Sequence, residues 1–550
     1  MKKFLILDCF VDEPACLGVP PFISPYPRYI YGALIDAGID EDRIDYLTID
    51  HMRGSDFKLQ SSYTGIFLIG GAVVPGKYLG ARIGTLQEIL KILDSNPHHK
   101  IAVGGLISSA VSQQRPNTET IHNDIEMYAY SKASGNGADE KRTQAMASRW
   151  GVLGAPVVKN HPWFPHIICE IETGRGCPRL RHCSFCSEGL AGAVEFRETE
   201  DVINEVDALI SCGVKRFRIG RQADIIQYRS EMNEFRGDFP KPNPAAVEEL
   251  FSALKDRRER GLIDILNVDN GNPGSIAKWP DESARILTAI GGTVTPGDTL
   301  PFGVESFDIS VINQNRLKTT PEETIFAVKM MNEICGNRIE GIPALLPGIN
   351  LIQGLRGETA ETFKTNYRYL MQIADMGLLV KRINIRKLLP FPGTELYNEK
   401  AIANKGLLNR FEFFREKIRD DIDRFMLKEI YPAGTVLKNN LVLDRRDSYS
   451  FAKQIASYSI TVKIPWELEL KSFQDILVTG QRERSLAGIP LPFNVNKAGQ
   501  KALEAIPGIN RDKATQIIIK RPFNNISEVS GYLKDVPQSL QGKLIEQIKL

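Results

Sequence analysis

Three of the eight cysteines fall within ten residues: Cys177, Cys183 and Cys186, in the run EIETGRGCPRLRHCSFC. The other five, Cys9, Cys16, Cys169, Cys212 and Cys335, are scattered. Thiols grouped in this way point to metal binding more than to a disulfide framework. Three thiolates can bind three irons of a cubane and leave the fourth open to a chelating ligand. Zinc is the alternative, but it usually takes four ligands. His182 is at hand as a fourth, yet it adjoins Cys183 and would strain the geometry. All seven histidines lie at or before His182. Acid–base chemistry from the second half of the chain therefore falls to carboxylate, Tyr, Lys or Cys.

The elements around this run must place it at the end of a sheet. From 166 to 398 the sequence alternates apolar runs with amphipathic stretches. Strands are expected at Ile167–Thr173, Val214–Ile219, Ile263–Val268, Leu300–Glu305, Gly348–Ile352 and Lys381–Arg386. Helices are expected at 199–211, 243–260, 281–290, 320–335 and 359–376. Six βα units predict a partial (β/α)6 barrel with its chemistry at the carboxyl ends of the strands. Residues 1–115 show the same rhythm at smaller scale, an α/β, Rossmann-like domain with strands at Phe4–Leu7, Ile44–Ile49, Ile66–Ile69 and Ile101–Val103. Gly70-Gly71 and Gly104-Gly105 follow two of these strands, as tight turns or as places where backbone approaches a ligand. Residues 116–165 are polar and read as a linker with one or two helices, including the loop SKASGNGADEK. Residues 399–429 read as a charged helical linker, 430–493 as a small β domain, and 494–550 as short helices around IPGIN.

The cysteine run resembles the radical S-adenosylmethionine (SAM) superfamily, whose last cysteine follows an aromatic residue, here Phe185. Five residues separate Cys177 from Cys183, where three are usual in that superfamily. The resemblance implies a [4Fe-4S] cluster on Cys177, Cys183 and Cys186 and a SAM molecule at its open iron. It continues through the expected barrel. Gly220, in Gly220-Arg221-Gln222-Ala223-Asp224, takes the place of the glycine-rich backbone that holds the SAM amino group. Asn267 to Asn272 form a polar cluster on the same rim. GVES (Gly303 to Ser306) matches an element in which Glu305 would reach SAM. NLIQGLRGE, with Asn350 and Gly354, matches the loop that lines the adenine, and LLPFPGTELY matches the closing segment.

The flanks carry further likenesses. PPFISPYPRYIYGALIDAG and IAVGGLISSA resemble the cobalamin-binding module found before many radical SAM barrels, so cobalamin is a possible cofactor, although no D-x-H-x-x-G motif is present. The small β domain resembles the RNA-binding TRAM domain of methylthiotransferases. Those enzymes need three further N-terminal cysteines, and only Cys9 and Cys16 occur here. NVNKAGQKALEAIPGINRDKATQIIIKRPF resembles a helix-hairpin-helix motif, with Asn510 as an N-cap. In that motif Gly508, Asn510 and Lys513 would meet a phosphate without reading bases. The chain as a whole resembles archaeal radical SAM proteins with a C-terminal helix-hairpin-helix motif.

Charge agrees with a polyanionic partner. Residues 401–550 carry 24 Lys and Arg against 17 Asp and Glu, whereas the first 400 carry 45 against 50. An ordinary solvated surface is the other reading of this imbalance. No apolar run approaches the ~18 residues that cross a bilayer, and Asp8 breaks the apolar start MKKFLILDCF, which reads as a first strand rather than a signal peptide. The expectation is a cytoplasmic radical SAM enzyme served by a reductant protein. It acts on a nucleic acid, with tRNA in view. A cobalamin-dependent radical SAM methyltransferase acting on a protein or small molecule is the alternative.

Overall fold

A computed structural model describes residues 3–10, 22–71, 82–111, 115–135, 141–399 and 405–550. Cys16, the start of the PPFISPYPRY phrase and the centre of SKASGNGADEK lie outside these residues.

The first sheet has five parallel strands in the spatial order Ile44–Thr48, Phe4–Asp8, Gly65–Ile69, Ile101–Gly104 and Thr118–Thr120. Phe4–Asp8 and Gly65–Ile69 are buried along their whole length, as expected of parallel strands covered on both faces. The helix Leu86–Ser95 begins at a capping box in which Thr85 Oγ1 accepts from Glu88 N at 3.2 Å and the Glu88 carboxylate accepts from Thr85 N at 2.9 Å. Residues 116–165, polar enough to read as a linker, supply the fifth strand and two helices, Ile125–Ser134 and Gln144–Leu153, packed on the helix Pro25–Asp36. That strand is a three-residue edge with little apolar content, so its polarity hides it.

The larger core is an arc of six parallel strands: Ile168–Glu172, Arg216–Gly220, Ile265–Val268, Asp298–Glu305, Leu345–Gln353 and Arg382–Lys387. The third and fourth strands meet through a single parallel bridge, Gly271 to Phe302. Phe22–Ile23 adds a short strand beside Ile168–Glu172 and so ties the N-terminal segment to the arc. Buried ion pairs reinforce that junction. Arg28 meets Glu205 at 3.0 Å, and Arg142 meets Glu126 at 2.6 Å and Glu172 at 2.7 Å. Such pairs tolerate no loss of one partner, because the remaining charge would be buried alone.

Residues 436–491 form a closed barrel in the order Val436–Arg446, Tyr449–Gln454, Thr461–Ile464, Ser485–Leu491, Phe473–Gln481. A loop of this barrel reaches the arc: Ser457 N donates to Asn267 Oδ1 at 2.8 Å and Tyr458 Oη donates to Asp269 Oδ1 at 3.1 Å. The helices Gln500–Glu504, Arg511–Lys520, Ile526–Ser530 and Gln538–Gln547 pack around a separate apolar core. No helix among the described residues is long and apolar enough to cross a membrane.

Candidate active site

The strand Ile168–Glu172 delivers the chain to the cysteine loop. Gly174-Arg175 pairs with Glu195-Phe196, and Gly176 takes φ +84°, so the chain turns over the end of the arc. The loop is fastened at several points. Asn315, fully buried, accepts from Ser184 N at its carbonyl (3.1 Å) and from Ser184 Oγ at Oδ1 (2.9 Å), and its Nδ2 donates to Arg356 O (2.8 Å). Leu396 N donates to Ser184 O at 3.2 Å. Arg316 Nε donates to His182 O at 3.0 Å, and the same guanidinium pairs with Glu395. The loop after Leu345–Gln353 and the segment Leu388 to Tyr397 thus converge on the cysteines. An apolar cluster confirms the convergence: Cys183, Phe185 and Cys186 pack with Val311, Ile312, Leu317, Ile352, Leu355, Leu388 and Leu396.

The five-residue interval between Cys177 and Cys183 has its own anchor. A hairpin of Glu231–Arg236 and Phe239–Lys241, invisible in the sequence pattern, presents Asp238 at its turn. Asp238 O accepts from Leu180 N at 3.1 Å, and its carboxylate accepts from Arg181 Nε at 2.9 Å and meets Arg179 at 3.4 Å. Arg179, 5% exposed, stacks over Phe239 at 5.2 Å and donates from Nη1 to Cys183 Sγ at 3.3 Å.

A second cation lies among the thiols. Burial pulls the Lys318 ammonium toward neutrality, but Cys183, Glu305, Cys186 and Cys177 together outweigh it and raise its pKa. A methyl group added to Gly303 would strike Lys318 Nζ at 2.5 Å and Glu305 Oε1 at 2.8 Å, so the glycine of GVES leaves room for this pair. Glu305 sits at a register shift in its strand with φ +67°, a conformation that costs free energy in a non-glycine residue and concentrates at functional sites. Its carboxyl is buried, and burial lifts its pKa to about 7 against the pull of Lys318 and Arg386. Burial also pushes the Cys186 thiol up to about 12, with Cys183 and Glu188 adding to the effect and Lys318 opposing it.

The other expected contacts are placed less directly. A Cβ on Gly220 would lie 2.5 Å from Glu170 Oε1, so close packing of a buried carboxylate already requires glycine there. Asn350 Oδ1 accepts from Asn384 Nδ2 at 2.8 Å on the inner face of the arc. Gly354 takes φ +100°, and its N–H donates to Glu358 at 2.8 Å. The Asn267 to Asn272 cluster is bonded to neighbouring residues of the chain. Asp269 pairs with Arg218 and Tyr458, Asn270 donates to Gln222 O, and Asn272 N donates to Asp224 Oδ1 at 3.1 Å. In the N-terminal sheet, a Cβ on Gly70 would meet Ile107 at 2.9 Å and one on Gly105 would meet Gly70 O at 2.3 Å, which explains these glycines by packing. At the C-terminus Asn510 caps Arg511–Lys520 by accepting from Lys513 N at 3.0 Å. Gly508 packs against Asp535 O, and the Lys513 ammonium bonds Gly508 O at 3.1 Å and pairs with Asp535.

Among the described residues no three His, Cys, Asp or Glu side chains converge tightly enough to hold a single metal ion. A four-iron cubane is larger than one ion and spaces its thiolates more widely. The donor set fits it: three thiols on one loop, a hydrogen-bond donor to one sulfur, and a cation that offsets thiolate charge.

No protein-family model matches the chain. An "uncharacterized protein" of Methanocaldococcus jannaschii is 40% identical over 512 residues, 88% of this chain and 93% of that one. An "uncharacterized protein" of Archaeoglobus fulgidus is 36% identical over 534 residues, 96% of this chain and 97% of that one. Among solved structures, the radical S-adenosylmethionine methyltransferase TsrM of Kitasatospora setae, with tryptophan substrate and a SAM analogue bound, is 16% identical over 72% of this chain and 76% of its own, with a TM-score of 0.48.

Proposed function

The chain belongs to the family of these two archaeal proteins, and we propose that it is a radical SAM enzyme with a [4Fe-4S] cluster on Cys177, Cys183 and Cys186. The observation that carries this reading is the gathering of the three thiols, Lys318 and Glu305 at the carboxyl end of a six-strand parallel arc. When bound, the cluster supplies one electron that cleaves a carbon–sulfur bond of SAM and releases methionine and a 5′-deoxyadenosyl radical. The residues of the chain do the rest. Cys177, Cys183 and Cys186 hold three irons. Phe185, in its apolar cluster, walls the side where an adenine would pack. Lys318 and Glu305 offer an ammonium and a carboxyl to the carboxylate and amino group of SAM. Asn350, Gly354 and Gly220 complete the rim. Arg179 holds the cysteine loop against the Asp238 hairpin.

The substrate in this reading is a nucleic acid, with tRNA in view, supported by the excess of Lys and Arg beyond residue 400 and by a closed barrel and short helices that resemble TRAM and helix-hairpin-helix modules. A second reading, a cobalamin-dependent methyltransferase acting on a protein or small molecule, draws support from one feature. The N-terminal strand order puts the first strand between the second and third, as in flavodoxin-like folds that bind a cofactor at the carboxyl ends of the strands.

The test is anaerobic. The protein is reconstituted with iron and sulfide, SAM and dithionite are added, and 5′-deoxyadenosine is quantified with and without small RNA. Production stimulated by RNA supports the proposal. S-adenosylhomocysteine as a product, with a corrinoid absorbance in the purified protein, favours the second reading. An intact cluster with neither 5′-deoxyadenosine nor S-adenosylhomocysteine formed rejects both.

A further inference from the structure

The closed barrel and the C-terminal helices leave a cleft of about 600 Å³ between them, lined by Trp466, Glu467, Lys497, Lys501, Glu504 and Arg511. This volume is within the range of ordinary ligand clefts. Trp466 stands at the seam, packed against the apolar cores of both units and set at 5.9 Å from Phe493, yet it remains partly open to the cleft. Its backbone is pinned by Ser450 Oγ, which donates to Trp466 O at 2.7 Å. Beside it, the Tyr449 ring lies under two ammonium groups, Lys463 at 3.8 Å and Lys501 at 5.4 Å.

Lys497, Lys501 and Arg511, which line the cleft, and Lys463 beside it form no salt bridge among the described residues. Lys513, two residues from Arg511, is paired with Asp535 and donates to Gly508 O. Of the two carboxylates at the cleft, Glu504 accepts from Gln500 Nε2 at 2.7 Å, and Glu467 is exposed. Three lining cations without an ion pair against two carboxylates leave the cleft positive, and Lys463 beside it adds to the charge.

We propose that this cleft binds a single-stranded nucleic acid, with phosphates on Lys497, Lys501 and Arg511 and a base against Trp466. Cations interleaved with aromatic faces suit a strand whose charge lies on its backbone and whose bases have π-faces to stack. An acidic peptide offers the charge but not the stacking group; Glu467 and Glu504 would repel carboxylates and phosphates alike, but they can accept from the amino groups of bases. Within the 508–513 hairpin the charge contact falls on Arg511 and not on Lys513, which Asp535 already neutralises. The inference deepens the reading above by assigning its substrate class, and it rests on that reading only for the claim that the bound strand is the substrate.

The test uses the full-length protein and fluorescence anisotropy with labelled mixed-sequence 12-nucleotide RNA and DNA single strands, a measurement that needs no cluster. The triple variant K497E/K501E/R511E changes three exposed side chains and is expected to weaken binding at least tenfold. It should also flatten the dependence of log K on log[salt] by about 0.7 for each phosphate that is no longer neutralised. W466A should weaken binding at fixed charge, and K543E, on the helix Gln538–Gln547 and outside the cleft lining, should leave it unchanged. Preference of RNA over DNA would mark the 2′-hydroxyl as a point of recognition, and equal affinity would mark a backbone-and-stacking site. Binding that the triple variant leaves unaltered, or poly-glutamate that outcompetes both strands, would overturn the proposal. Loss of 5′-deoxyadenosine formation with RNA binding intact would instead count against the radical SAM reading.

Discussion

Arg179 Nη1 donates to Cys183 Sγ at 3.3 Å, so a guanidinium inside the first cysteine interval bonds directly to the second cysteine. The two additional residues of that interval are therefore not slack. They carry a cation to the sulfur and tie it, through Asp238, to a hairpin elsewhere in the fold.

A positive donor on a ligating sulfur stabilises the more negative, reduced state of a cluster and raises its reduction potential. Replacing Arg179 with Gln removes the charge and should lower the midpoint potential. A tenfold change in the equilibrium constant is about 59 mV for one electron, and a shift of about that size is expected. R179K keeps the charge and should recover part of it. Redox titration followed by electron paramagnetic resonance checks both. An unchanged potential with iron content intact would show that Arg179 only shapes the loop.

On the proposed radical SAM reading, each of Cys177, Cys183 and Cys186 replaced by Ser should strip the cluster and reduce 5′-deoxyadenosine formation by about 100-fold or more, because two remaining thiolates cannot hold three irons. Cys335 is the control. It is buried, donates to Leu287 O at 3.3 Å and packs in a different apolar cluster from the cysteine loop. C335S should retain full iron and activity.

Much of this was readable in the residues. The helix 199–211 ends where its amphipathic run ends, and the capped helices beginning after Thr320 and Thr359 start at the expected places. Each is a local pattern with its own periodicity and cap. The cysteines were readable because three residues of one rare type share a short interval. Lys318 and Asn315 were not, because they lie between motifs and matter only through what the folded chain brings to them. The Asp238 hairpin was also hidden: its first strand, Glu231–Arg236, is almost wholly exposed and has no apolar alternation to detect. Thr118–Thr120 was missed for the same reason.

Asp8 gives a pH signature independent of the cysteine site. It is 1% exposed at the end of the first strand, with Tyr46 Oη donating to it at 2.7 Å and Phe10 N at 2.8 Å. Burial raises its pKa from 3.8 to about 6, and the two hydrogen bonds oppose the shift. The folded state therefore keeps a proton that the unfolded state releases between about pH 4 and 6. Asp8 stabilises the fold fully below pH 4, and that contribution is lost as pH rises to 6, amounting to about 2–3 kcal/mol. D8N keeps Oδ1 as the acceptor for Phe10 N, offers Nδ2 as a donor to the Tyr46 hydroxyl oxygen in place of the second acceptor, and cannot ionise. It should gain on the wild type across that window, so that unfolding midpoints measured at pH 4.5 and 7 differ less in the variant. Parallel pH profiles would remove Asp8 as the cause.

Tyr458 joins the closed barrel to the parallel arc through one hydrogen bond to Asp269, whose other partner is Arg218. All three side chains are buried, and Arg382 lies over the Tyr458 ring at 5.1 Å. Y458F keeps the ring, its packing and the stacked guanidinium, and removes only the hydroxyl. The cost is then that of one unsatisfied bond to a buried carboxylate, about 1–3 kcal/mol. R218A leaves Asp269 without its ion-pair partner inside the arc and should cost more, about 3–5 kcal/mol. Because Asp269 follows the third strand of the arc, Y458F should also loosen the barrel from the arc before either unfolds. Hydrogen exchange would show this as faster exchange of the Ser457 amide, which donates to Asn267, with the strand Ile168–Glu172 still protected. Equal loss of protection across both would mean that the two units unfold as one and that the hydroxyl contributes only global stability.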